Sequence, residues 1–80
     1  MTYELFTDVI LTADVPEHGL RAGDVGTVVE RHASPSGESG FSVEFFDMTG
    51  RTVAVITVPA STLRAPTAGD VPAARLRESA

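Results

Sequence analysis

Gly19-Leu20-Arg21-Ala22-Gly23-Asp24-Val25-Gly26-Thr27-Val28-Val29-Glu30 is the stretch that decides how this chain folds. Glycine lacks the Cβ that resists left-handed and bulged backbone, so Gly23 and Gly26 let the chain turn sharply around Asp24 and Val25. The Asp24 carboxylate is placed to accept a hydrogen bond from the backbone two residues on and hold the turn. The β-branched run Thr27-Val28-Val29 then favours a pleated strand. A corner of this kind belongs to a small, strongly bent barrel. Gly19, Gly23, Asp24 and Gly26 are therefore read as turn residues, and the corner carries no reactive group.

Outward from the corner, five short extended segments are separated by turn formers at the spacing of an all-β barrel. The first covers about residues 6–13, with Val9 and Leu11 on one face and Asp8, Ile10 and Thr12 on the other. Residues 14–24 form a long excursion in which Pro16 forbids regular ladder pairing. The second strand covers residues 25–32, and a polar tip of turn formers fills residues 33–40. The third, residues 41–46, points Phe41, Val43 and Phe45 inward and Ser42 and Glu44 outward. Asp47-Met48-Thr49-Gly50 fits a tight hairpin on a type I turn with Gly50 left-handed. The fourth strand, residues 52–58, is apolar on both faces, which predicts core on one side and a loop, the tail or a partner on the other. A single helical turn at residues 59–62 and a short last strand at Leu63 and Arg64 complete the domain, residues 1–65. Residues 66–80, rich in Pro, Ala and Gly, read as a flexible tail.

Eighty residues hold one domain, near the lower limit for a self-supporting core. With no cysteine, disulfides and thiolate metal sites are excluded, in keeping with a reducing cytoplasm. No run approaches the roughly 18 apolar residues that span a bilayer. Met1-Thr2-Tyr3-Glu4 lacks the basic and apolar stretches of a signal peptide. The expectation is a soluble, cytoplasmic protein with no membrane partner. The net charge is −5, and all six basic residues are arginine. Residues 1–65 hold nine acids against four arginines. Charge of that sign repels phosphate backbones and favours encounters with a basic protein.

The corner resembles the glycine-centred motif of KOW domains, here Gly23-x-x-Gly26-x-Val28, and the order of elements looks like an SH3-like barrel. More closely, the chain resembles a family of short bacterial proteins known only as a domain of unknown function. That family's pattern is matched by Asp8-Val9-Ile10-Leu11, by the Pro-Glu-His-Gly-Leu-x-x-Gly-Asp-x-Gly-Thr-Val-Val-Glu segment at residues 16–30, by Val43-Glu44-Phe45 and by Leu63. The resemblance covers about residues 5–65. It implies a five-stranded SH3-like barrel with a single helical turn before the last strand, and it brings no activity. Some relatives look as if they are encoded beside toxin-like or other small proteins, which implies a partner-binding or antitoxin-like role.

Catalytic and metal chemistry find little support in the residues. Paired-carboxylate hydrolysis needs two acids in a concave site, one with a raised pKa; Asp14 with Glu17, and Asp24, are the candidates, and Asp24 already serves the turn. His18 and His32 are fourteen residues apart, without a His-x-x-x-His or Glu-x-x-His arrangement; they would share a metal only if joined by Asp14 or Glu17, and they read instead as surface or turn histidines. Ser34, Ser36 and Ser39 belong to a turn-forming tip. The glycine-rich segment lacks the Lys-Ser/Thr ending of a phosphate loop. Arg21, Arg31, Arg51 and Arg64 are scattered among acids rather than interleaved with aromatics. No enzyme, metal or cofactor is expected. Protein binding remains. Phe46 falls on the face opposite Phe41 and Phe45, either as an exposed anchor or as a second small core under the long loop. With Met48, Val15 and Leu20 it would form an apolar patch rimmed by Asp14 and Glu17. The reading is a non-catalytic interaction module, a small partner subunit or an antitoxin-like neutraliser. Its partner is another protein of basic character, with self-association allowed. A KOW-type nucleic-acid-binding barrel is the alternative.

Overall fold

Side chains point alternately to the two faces of a strand, and this sequence uses the alternation to line the inside of a curled sheet. The computed structural model describes residues 2–35 and 37–77; Met1, Ser36 and residues 78–80 of the tail lie outside the described residues. The strands are β1 (Asp8–Leu11), β2 (Val25–His32), β3 (Gly40–Phe46), β4 (Thr52–Pro59) and β5 (Leu63–Arg64), with 3-10 turns at Pro16–His18 and Ala60–Thr62. Every pairing is antiparallel, and the order across the sheet is β4-β3-β2-β1-β5. The sheet curls into a half-barrel, all-β as expected, with a single helical turn before the last strand.

β1 is shorter than the expected residues 6–13. Phe6 takes a left-handed φ of 63° and sends its N–H to the Val28 carbonyl at 2.6 Å, outside the regular ladder. At the other end Thr12 donates to the Thr62 carbonyl at 2.9 Å, which ties the strand to the second 3-10 turn. The core is built from Val9, Leu11, Val28, Phe41, Val43 and Phe45, with Ile56 and Leu63 against them. The Tyr3 ring meets Phe41 edge-on at 5.3 Å, and its hydroxyl donates to the Leu63 carbonyl at 3.1 Å. A side chain from the segment ahead of the first strand thus helps fasten the last.

Two bulges explain apolar runs that alternation alone misreads. Between β3 and β4 the register passes from Phe45↔Ala54 to Phe46↔Thr52, so Val53 is an extra residue and packs against the core beside Ala54. Between β2 and β3 it passes from Val28↔Val43 to Glu30↔Ser42, leaving Val29 extra. A bulge bends the strand and increases its twist, which helps close a small barrel. The expectation that both faces of β4 are covered is corrected here. Val55, opposite Glu44 on the outer face, is 54% exposed. Its neighbours are apolar because the bulge returns Val53 to the core, and no second layer is needed.

Residues 66–77 lie back on the half-barrel through polar anchors. Arg64 donates to both Asp70 oxygens, at 2.9 and 2.7 Å, and Thr67 N–H reaches the same carboxylate at 2.7 Å. These donors, Arg64 foremost and then the Thr67 N–H, hold the Asp70 carboxyl far below its ordinary 3.8. A folded carboxyl more acidic than the unfolded one contributes stability above the ordinary value, and the contribution is lost as pH falls. Asp47 is lowered in the same sense, first by the Thr49 hydroxyl. Acidification below about pH 4 should therefore loosen the first turn of the tail. The Thr67 amide, followed by NMR, should begin to move only there, and Asp70→Asn should remove the transition. A midpoint well above pH 4 would contradict this assignment.

Candidate functional site

The long loop between β1 and β2 is shaped by its own backbone. Pro16 opens the first 3-10 turn, and Gly19 ends it with a φ of 69° while donating to the Pro16 carbonyl at 3.0 Å. Val15 and Leu20 then exchange N–H and carbonyl bonds at 2.9 and 3.1 Å, which draws the loop into a closed lobe. This closure sends the Leu20 side chain inward, where it is 3% exposed and part of the core. Asp14 Oδ1 accepts the Ala22 N–H at 2.9 Å across the neck of the lobe.

At the corner, Gly23 is left-handed with a φ of 97°, and its N–H reaches the Leu11 carbonyl at 2.8 Å. Asp24 holds the turn in the direction opposite to that expected. Its Oδ2 accepts the Arg21 N–H at 2.8 Å, three residues back, while the Asp24 N–H donates to the Arg21 carbonyl at 3.0 Å. The forward Asx bond to the second residue on is made instead by Asp47, whose Oδ1 accepts the Thr49 N–H at 2.8 Å. Gly50 is left-handed, with a φ of 87°, and closes that hairpin as expected.

The six candidate partner residues are not gathered in a single groove. Asp14, Glu17 and Leu20 border a groove of about 480 Å³ whose far wall is Arg75 and Arg77. Phe46 and Met48 border a second groove of about 870 Å³, between the outer face of the sheet and the tail. Leu20 touches both grooves but lies buried between them. Val15 packs partly against the core. Phe46 is 45% exposed and Met48 91%.

Sequence reasoning missed the other wall of the larger groove. Val25, half exposed, and Ile10, buried but outside the core cluster, occupy the outer face of the sheet. Val71 and Leu76 of the tail are 83% and 95% exposed. Ile10 and Val25 pair across β1 and β2, so the register of the corner contained this signal. The tail's part in it had no local signature.

Several polar side chains of the half-barrel, at the corner and elsewhere, are engaged with one another. The Asp24 carboxylate receives Arg21 N–H and the Arg75 guanidinium, and Glu38 receives both the N–H and the hydroxyl of Ser61. His32 Nε2 lies 2.9 Å from Ser42 Oγ, which lies 2.8 Å from Thr57 Oγ1, so the buried Ser42 is satisfied on the outer face. Among the described residues, no group of three or more His, Asp or Glu side chains is arranged to hold a metal ion. Among the same residues, no helix is long and apolar enough to cross a membrane. The model of a family described as "Domain of unknown function (DUF4926)" matches residues 5–65. No curated protein and no solved structure matches the chain.

Proposed function

The chain belongs to the DUF4926 family, and we propose that it is a non-catalytic protein-interaction module, a small partner subunit or antitoxin-like neutraliser of a bacterial cytoplasm. The strand order β4-β3-β2-β1-β5, with a 3-10 turn before β5, supports reading the half-barrel as SH3-like. The observation that carries the functional reading is the apolar side-chain set around the larger groove. Val25, Phe46, Met48, Val71 and Leu76 are all exposed there, beside Asp8 and Asp47. An apolar centre with a charged rim is the layout of a partner surface, and the acidic balance of residues 1–65 favours a basic partner.

The KOW-type nucleic-acid reading has less support. It calls for a continuous arginine face, whereas Arg64 and Arg75 are bound to carboxylates and Arg77 to a carbonyl. The test is capture of partners from the native cell extract with the tagged chain, quantified by mass spectrometry, against Met48→Asp. Met48 is 91% exposed, so the substitution leaves the core untouched. A protein enriched by the wild type should be depleted by the variant. Equal recovery would remove this patch from the interface.

A further inference from the structure

Beyond the Arg64–Asp70 pair, the tail is held by two of its own arginines while its large apolar side chains stay exposed, and the receptor these arginines enter is built in advance by the long loop. Arg75 donates through Nε to Asp24 Oδ1 at 3.0 Å and through Nη2 to Asp24 Oδ2, so the pair is a two-pronged fork. Nη2 also reaches the Gly19 carbonyl at 3.1 Å. Arg77 Nη1 donates to the His18 carbonyl at 3.2 Å. Its stem lies over Gly19, where a Cβ would come within 3.3 Å of Arg77 Cγ. Each acceptor is fixed by loop geometry that does not involve the tail. The Asp24 carboxylate is oriented by the Arg21 N–H, and the His18 and Gly19 carbonyls by the 3-10 turn and its left-handed end. By contrast, Val71 and Leu76 remain in solvent.

We infer that residues 18–24 form a docking site for an extended Arg-x-Arg segment of a partner protein, which the chain's own Arg75-Leu76-Arg77 occupies as a displaceable internal competitor. A planar guanidinium matches a carboxylate through two parallel bonds, whereas an ammonium presents a point charge, so the site selects arginine over lysine. The Arg75 side chain is still 28% exposed and Asp24 20%, so exchange needs no opening of the core. The tail also walls the larger groove, and its displacement widens that groove. This inference adds a ligand chemistry to the partner-binding reading without depending on Phe46. The two fail separately, because one is read at the long loop and the other at the Phe46 patch.

The experiment uses the full chain carrying Arg75→Ala and Arg77→Ala, labelled with ¹⁵N and titrated with a synthetic peptide of residues 66–77. Occupancy of a site by an internal competitor weakens an external ligand by the fraction of time that the site is free. The peptide should move the Gly19, Arg21 and Asp24 amides saturably, with an apparent Kd about tenfold or more below that for the wild type. Replacing both peptide arginines by lysine should weaken binding by roughly fivefold or more. Arg75→Gln alone serves as host if the double variant does not give a folded spectrum. Equal binding to wild type and variant, no shifts in the variant, or equal binding of the lysine peptide would each overturn the inference. A wild-type dimer by light scattering that is lost in the double variant would assign the site to tail exchange between copies, and would also overturn it.

Discussion

Gly26→Val should destabilise the half-barrel by about 3 kcal/mol or more, measured by urea denaturation with the wild type alongside. Gly26 lies between Val9 of β1 and Phe45 of β3, at a register position that faces the core. A Cβ there would sit 2.5 Å from Val43 Cγ1, 2.9 Å from Phe45 Cε2 and 3.0 Å from the Glu44 carbonyl oxygen. Val43 and Phe45 are buried and have nowhere to move, and the third obstacle is backbone. Interiors packed to crystal-like density do not absorb such an insertion. Gly26→Ala should fall between wild type and valine. A valine variant within about 0.5 kcal/mol of wild type would show that β2 is not pressed against β3 at this point. Gly23 offers the contrast. A Cβ at Gly23 would meet nothing within 4 Å, and its φ of 97° leaves only backbone strain. Substitution there should cost about 1–2 kcal/mol, so two glycines three residues apart are needed for different reasons.

What the sequence disclosed depended on how local the controlling interaction is. The corner was legible because glycine, a turn-forming aspartate and a β-branched run act within a few residues of one another. The facing of β3 was legible because Phe41, Val43 and Phe45 alternate without interruption. The left-handed Gly50 follows from the length and composition of its hairpin. The bulges at Val29 and Val53 were not legible. An inserted residue breaks the period of two, and it leaves the same apolar pattern as a strand covered on both faces.

The candidate site was less legible because it is assembled from afar. Leu20 looked like part of an exposed patch, since it stands in a polar loop. Closure of the Val15–Leu20 bridge is what turns it into the core. Arg75 and Asp24 are 51 residues apart, and no spacing rule connects them. Tyr3 reaches Leu63 over 60 residues. Contacts of that range are fixed only once the sheet order is known, and reading strands one at a time does not supply it.

Leu20 and Phe46, adjacent in the expected patch, should separate completely when each is cut to alanine. Leu20 is 3% exposed among core side chains, so Leu20→Ala should lower folding stability by about 2–5 kcal/mol through lost transfer energy and a cavity. Phe46 is 45% exposed on the outer face, and its truncation should cost only about 1–2 kcal/mol of folding. Binding should show the reverse order. An aromatic side chain at the centre of a partner surface contributes out of proportion to its area. Phe46→Ala should therefore weaken the complex by about 2 kcal/mol or more, roughly a thirtyfold rise in Kd. Glu17, exposed on the lobe and not among the residues that line the Phe46 groove, should behave differently again. Its replacement by alanine should slow association and flatten the salt dependence while leaving dissociation nearly unchanged. Denaturation curves and titrations of the captured partner, run on the same variants, distinguish these outcomes. If Phe46→Ala unfolds the chain, the residue belongs to the core. If it folds and binds as the wild type does, the outer face of the sheet is idle surface, and the interaction must be sought at the long loop, where the acidic side chains and the arginines of the tail already meet.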